Sequence, residues 1–329
     1  MVSYLARIRT PAPILAISLN EKRITMKITM KINKFRIAPG AKVKLGKIDP
    51  ADTGDYKNHA DAAQRQEELL VRMRELQAKL YATKTNALVI VLQGLDAAGK
   101  DGVVTHVMSG LNPEGTRVAS FKQPTAEEAA HDFLWRVHPH APAKGDIVIF
   151  NRSHYEDVLV VRVHQLVPKV VWKSRYEHIR NFEHLIAAGN DTTVLKFYLH
   201  ISREAQLARF KVRLDEPDHE WKISKTDYAE RELWDEYTAA FEEAIAQTST
   251  AEAPWFVIPS DNKWFRDLAI SEVIVAAIEG MNLQLPKTEV DLEVIKQDYA
   301  KALAEESPEN QKKIAKLVRK KEKSLKQAG

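Results

Sequence analysis

Apolar positions along the chain fall into two rhythms. Val89-Ile90-Val91-Leu92 is a continuous run rich in β-branched residues, the pattern of a strand buried on both faces. Residues 117–121, 146–150, 194–199 and 255–258 repeat that character. Between these runs apolar residues recur at helical spacing. Leu69, Leu70, Met73, Leu76 and Leu80 mark an amphipathic helix over residues 60–81, leading into the first strand. Further helices are expected over 126–137, 155–162 and 173–188, and over a long polar stretch from 202 to 247. Strands alternating with helices predict an α/β class: three layers, a parallel five-stranded sheet and helices on both faces. Ligands then bind beyond the carboxyl ends of the strands.

The flanks depart from this pattern. Residues 1–34 read as an extension of which little order is expected, and 35–55 as a basic arm with turns. Arg7 and Arg9 precede an apolar stretch over 11–19, but it is short, holds two prolines and lacks a small-residue cleavage site. It makes a poor secretion signal. Met26 and Met30 are alternative starts, which makes residues 1–30 readable as an over-extended frame. Residues 35–286 form the expected main domain. Residues 287–329 are charged and helical, ending in Lys312, Lys313, Lys316, Arg319, Lys320, Lys321, Lys323 and Lys326, with Ile314, Leu317, Val318 and Leu325 as apolar anchors. Such a run is a solvated helix, or a tail that gathers polyanions or contacts another subunit.

Composition narrows the classes. A chain of 329 residues, 44% hydrophobic, has ample material for a core. Its formal net charge is only +4, so any hold on a polyanion must come from local patches. It has no cysteine. That excludes disulfides, thiolate metal sites and cysteine catalysis, and fits a reducing, cytoplasmic setting. No apolar run approaches the ~20 residues that a membrane span needs.

After the first strand the chain reads Gly94-Leu95-Asp96-Ala97-Ala98-Gly99-Lys100-Asp101-Gly102, then Val103-Val104-Thr105-His106-Val107-Met108 as a helix start. Strand, glycine loop, lysine and helix form the arrangement that cradles phosphates. Glycines let successive N–H groups face an anion, the helix N-terminus adds partial positive charge, and Lys100 adds a full one. The Ser or Thr that ordinarily follows the lysine and reaches Mg²⁺ is replaced by Asp101, while Asp96 lies inside the loop. A carboxylate there repels phosphates unless a cation lies between them, so Asp96 points to a metal held from within the loop.

Other candidates sit at strand ends. Lys122 follows the second run. Asn151-Arg152-Ser153-His154-Tyr155-Glu156-Asp157 follows the third, where phosphate-loop enzymes place an acid that holds Mg²⁺. Asn151 brings no charge, which shifts neutralisation of the metal onto Asp96 and Glu156. Arg152 suits bidentate phosphate contact, and Ser153 is a plausible helix cap. Beyond the fourth run Arg209 and Arg213 share a helix face with no acidic residue at their pairing positions toward the N-terminus. Pro217 breaks that helix ahead of Lys222, as in a lid over phosphates, about 203–230.

Taken together, residues 94–102, Ser120-Phe121-Lys122-Gln123-Pro124, His131-Asp132-Phe133-Leu134-Trp135-Arg136, residues 151–160, 209–222 and 259–268 resemble the polyphosphate kinase 2 family. The resemblance covers about 35–286. It implies a three-layer phosphate-loop (P-loop) kinase fold with a helical lid, and Mg²⁺-dependent transfer, Mn²⁺ serving in its place, between inorganic polyphosphate and a nucleotide. In much of the family the second motif opens with Asp. Asn151 there looks like the subclass that phosphorylates both AMP and ADP. Carried over by position, Asp96, Lys100 and Arg152 are the catalytic candidates, with Asp96 and Glu156 on the metal. Gly94, Ala97, Ala98, Gly99, Asp101, Gly102, Lys122, Arg209, Arg213 and Lys222 would line the phosphates, and Asn151, Glu156 and Asp157 the nucleotide. Dimers or tetramers are common in the family; membrane and nucleic-acid partners are not expected. Two other readings stay open: an ATP-dependent nucleoside monophosphate kinase, and a non-catalytic polyanion-binding protein using the basic tail.

Overall fold

β2 (Ala87–Gln93) is buried along its whole length and forms the middle of a sheet ordered β1-β6-β5-β2-β4-β3. The computed structural model describes residues 30–218, 224–287 and 290–328, so residues 1–29 and Lys222 lie outside the described part. β3 (Thr116–Ser120), β4 (Ile147–Asn151), β5 (Thr192–His200) and β6 (Trp255–Pro259) complete the expected parallel set. The sheet has six strands rather than five: β1 (Arg36–Ile37) pairs antiparallel with β6. Two residues are too short to show a period, which is why the arm reads as irregular in sequence.

Helices cover both faces. α2 (His59–Thr83), capped by Asn58, packs on α10 (Lys263–Gly280), which also touches α3 (Lys100–Val107). α5 (Glu156–Val163), α6 (Lys169–Asn190) and α9 (Trp234–Thr248) pack on one another. α10 is buried from Phe265 to Ile278, on all sides, so it carries no apolar stripe for periodicity to detect. Met30–Asn33 forms a single turn, α1.

Two helical expectations need correction. Only Ala126–Ala129 (α4) is helical within 126–137; the Asp132 side chain accepts from Leu134 N and turns the chain instead. The stretch from 202 to 247 is three helices, α7 (Arg203–Asp215), α8 (Lys225–Glu232) and α9, because Pro217 ends the first and Ser224 opens the second with a capping box.

A buried polar network locks the edge of the site. Lys196, fully buried in β5, donates to Glu183 Oε2 (2.6 Å), Tyr155 Oη (3.1 Å) and Thr248 O (2.7 Å). Tyr155 donates to Glu183 in turn, so the turn leading into α5 is pinned to α6. The main unit ends at Gln284, and a second begins at Leu285. The second holds α11 (Leu292–Glu305), capped by Asp291, and α12 (Pro308–Ala328).

Candidate active site

Register brings the two main motifs together. Leu92 lies opposite Asn151, so the phosphate loop leaves β2 beside the turn that leaves β4. Arg152 adopts a left-handed backbone (φ 61°) and donates its N–H to Leu92 O. That bend aims its guanidinium back over the loop, where Nη2 donates to Asp96 Oδ1 at 3.0 Å. Nη1 lies 3.8 Å from Glu156 Oε2. Glu156 also accepts from Gln93 Nε2 at 2.9 Å, and Asn151 Nδ2 donates to Asp101 Oδ1 at 2.7 Å. Asp96, Asn151, Arg152 and Glu156 are thus brought together at the ends of β2 and β4.

Lys100 is folded against its own loop. Nζ donates to Gly94 O (2.6 Å) and Leu95 O (3.2 Å). Burial, reinforced by the charge of Arg152, lowers its ammonium to about 8, against the pull of Asp96, Glu156 and Asp101.

The carbonyl side of the loop is held by two arginines. Arg209 Nη1 donates to Ala97 O (2.6 Å) and Ala98 O (3.1 Å), and Nη2 to Asp261 O (3.0 Å) and Ser260 O. Burial, then the neighbouring charge of Arg266, draws its pKa down to about 10. Arg266, 1% exposed, lies under Gly99 and Gly102. Its Nε donates to Asp267 Oδ1 at 2.8 Å; Nη2 is 2.7 Å from the same oxygen but outside hydrogen-bond geometry. A Cβ on Gly99 would stand 1.9 Å from Arg266 Nη1. These glycines therefore admit a guanidinium as well as an anion. Gly94 meets close neighbours too, Ala98 Cβ and Leu199 O.

Several candidates are placed differently from the expectation. Arg209 grips backbone carbonyls of the loop instead of standing as part of a free basic stripe. Arg213 is not without acidic company, since Asp227 of α8 lies 3.9 Å away. Asp157 is turned from the cleft: it is buried between Arg136 (2.9 Å) and Arg175 (3.6 Å), one residue and about 100° round the helix from Glu156. The N–H of Ala98 is occupied by Leu95 O. Ser153 does not cap α5; its hydroxyl accepts from Tyr155 N and donates to Gln93. Lys122 is exposed beyond β3, while its carbonyl accepts from Arg136.

A cleft of about 250 Å³ opens beside the loop, walled by Asp96, Arg152, Glu156, Arg231, Trp234 and Tyr237 among others. Sequence reasoning missed Gln206, Arg231, Trp234 and Tyr237. Gln206 Nε2 donates to Asp96 O (2.9 Å), and its Oε1 accepts from Arg231 Nη1 (2.7 Å), fixing the loop to α7 and α8. Tyr237 donates to Glu230 at 2.7 Å; burial and that carboxylate push its hydroxyl well above its ordinary value. Arg231, Trp234 and Tyr237 share one helical spacing, the one signal that was available. Arg266 lay within the motif 259–268 without a role.

Oxygen donors of Asp96, Asp101 and Glu156 suit a hard cation. Among the described residues no three His, Cys, Asp or Glu side chains converge on one point. No described helix is long and apolar enough to cross a membrane.

Comparison with known proteins fits this geometry. The family model described as Polyphosphate kinase 2 (PPK2) matches residues 56–286. The AMP/ADP-polyphosphate phosphotransferase of Meiothermus ruber is 47% identical over 265 residues, covering 80% of this chain and 99% of that protein. The ADP-polyphosphate phosphotransferase of Rhodopseudomonas palustris is 42% identical over 275 residues, 79% of this chain and 93% of that one. The crystal structure of Polyphosphate Kinase 2 from Arthrobacter aurescens TC1 superposes with a TM-score of 0.80 at 36% identity, over 84% of this chain and 98% of that one.

Proposed function

The chain belongs to the polyphosphate kinase 2 family, and on that premise we propose that it transfers phosphoryl groups from inorganic polyphosphate to AMP and ADP, forming ADP and ATP. The observation that carries the reading is Asp96. It is a carboxylate inside a phosphate loop, held by Arg152 and facing the same cleft as Glu156.

The acceptor nucleotide sits in that cleft, with its base against Trp234 and Phe241 and its phosphate beside Asp96 and Arg152. The donor polymer lies over the N-terminus of α3, with Lys122 and Arg213 along its path. An oxygen of the acceptor phosphate bonds to the terminal phosphorus, the bridging P–O bond breaks, and the polymer leaves one phosphate shorter. Positioning and charge neutralisation do most of the work in such a transfer. Lys100 and Arg152 neutralise the equatorial oxygens. Asp96 and Glu156, with Asp101 and Asn151 adjoining, would hold Mg²⁺ or Mn²⁺, which would supply Lewis-acid neutralisation of phosphate charge. α7 and α8 act as a lid over 203–230. The protein acts in the cytoplasm, as a dimer or tetramer, as the family resemblance implies.

The test is an incubation of protein, Mg²⁺ and AMP with polyphosphate as sole donor, with AMP, ADP and ATP resolved by chromatography. ADP and then ATP are expected, and both vanish after the donor is digested with an exopolyphosphatase. If neither product forms, the reading fails. If turnover requires ATP and survives that digestion, the protein is an ordinary nucleoside monophosphate kinase.

A further inference from the structure

Charge is distributed very unevenly along the chain. Residues 308–329 hold eight Lys or Arg and two Glu, a net +6, so the preceding residues carry a net −2 against +4 for the whole. The positive balance therefore lies entirely in the segment that forms α12 (Pro308–Ala328).

The helix sorts that charge to one side. Lys312, Lys316 and Lys320 recur every four residues, Arg319 and Lys323 stand three and seven beyond Lys316, and all five share one face. Ile314, Leu317 and Val318 lie on the other side. At a rise of about 1.5 Å per residue, the five cations follow a line of roughly 17 Å. All five are exposed, and among the described residues the ion pair within the helix, Lys313 with Glu309, involves none of them. A row of that density matches a linear chain of phosphates. Residues 308–329 contain no Phe, Tyr or Trp, so the helix has no platform on which nucleobases could stack. The ligand suited to it is a polyanion with charge and no bases.

We infer that the basic face of α12 is a second polyphosphate-binding site, separate from the transfer site, that tethers long donor chains to the enzyme. The inference rests on the donor proposed above. A chain held at two places by one protein dissociates less readily and is presented to the transfer site at raised effective concentration. A donor of a few phosphates is too short to span the basic row of α12 and gains little from it.

The experiment compares the full-length protein with a variant carrying K312Q, K316Q, R319Q, K320Q and K323Q, with helix content checked by circular dichroism. With polyphosphate of about one hundred phosphates, KM should rise about tenfold in the variant, while turnover on tripolyphosphate stays within twofold of the parent. Direct titration with labelled long polyphosphate should weaken in parallel. Its salt dependence should become shallower, because each lost phosphate contact removes about 0.7 from the log–log slope for a single-stranded polyanion. Equal KM for the long donor in both proteins overturns the inference, as does a loss shared equally by tripolyphosphate. If single-stranded RNA binds the parent as tightly as polyphosphate and is lost from the variant, the tail is a nucleic-acid site and the inference also falls. The titration reads the tail even if no AMP is phosphorylated, so failure of the transfer reaction and failure of the tether are distinguishable.

Discussion

Replacing Gly99 with Ala tests whether a buried guanidinium sets the shape of the phosphate loop. Gly99 caps α3 with φ 108° and ψ 28°, a backbone that an L side chain rarely adopts. Forcing Ala there costs of the order of 1–3 kcal/mol in strain alone. The new Cβ would also lie 1.9 Å from Nη1 and 2.9 Å from Cζ of Arg266. Arg266 cannot simply swing aside: it is 1% exposed and tied to Asp267 and to Ala98 O. Complete rupture of a buried ion pair costs about 3–5 kcal/mol, and a forced shift a part of that. The sum is about 3–5 kcal/mol, or a fall in Tm on the order of 10 °C for a domain of this size. Two controls separate the causes. Gly40 has φ 72° with no atom within 4 Å of a built Cβ, so Gly40→Ala isolates the backbone part, about 1–2 kcal/mol. Gly46 has neither a left-handed backbone nor a neighbour, and Gly46→Ala should be neutral. Thermal melts and AMP turnover with polyphosphate are measured on all three. Because the clash involves one side chain, adding Arg266→Ala to Gly99→Ala should cost less than the two single losses combined. Gly99→Ala that melts with Gly40→Ala and turns over at the parent rate would refute the reasoning.

Asp157→Asn should lower Tm by about 5–10 °C, since Arg136 and Arg175 lose their buried counter-charge, and leave KM for AMP unchanged; a raised KM with an unmoved Tm would return Asp157 to the nucleotide. With the Lys100 ammonium lowered to about 8, kcat/KM for polyphosphate should fall about tenfold per pH unit above that value, and Lys100→Arg should flatten the limb. Stability runs the other way for this group: between about 8 and 10.5 the folded state holds fewer protons than the unfolded one, so the cost of burying the charge fades as pH rises. The parent should therefore gain stability relative to Lys100→Met as pH rises over that window, and a relative loss contradicts the assignment. Chelation by EDTA should abolish ADP formation, with recovery on adding Mg²⁺, and should leave the melt of substrate-free protein unmoved, because no closed metal cage is present among the described residues; turnover in EDTA would remove the metal from the scheme.

The parallel strands and the phosphate loop were legible because each is written in contiguous residues. A buried strand is an unbroken apolar run, and the loop is a spacing of two glycines and a lysine. β1 escaped because two residues have no period. α10 escaped because a helix enclosed on every side has no polar face to alternate with. The strand-end cluster was readable through Asn151, Arg152 and Glu156, yet their neighbour Asp157 was not separable from them. Only the rotation of α5 shows that adjacent carboxylates face opposite surroundings. Arg209 failed in the same way. A stripe at helical spacing says which residues share a face, and says nothing of whether that face meets solvent, a carboxylate or, as here, the carbonyls of a loop more than a hundred residues earlier.

The arginines behind the loop explain how it can tolerate an acidic front. Asp96, Asp101 and Glu156 outnumber Lys100 and Arg152 at the mouth, a field that by itself disfavours phosphate. Arg209 meets the loop only through neutral carbonyl oxygens, so its charge is not cancelled by those contacts and adds to the field beneath the amides. The same bonds fix direction. A trans peptide places its N–H opposite its C=O, so holding Ala98 O against Arg209 and Arg266 turns the N–H of Gly99 toward the mouth. Substituting Ser or Thr for Asp101 would supply a hydroxyl but no charge for a cation. On the proposed function the carboxylates would instead gather the cation that screens them, while the guanidiniums hold the loop's carbonyls beneath the site.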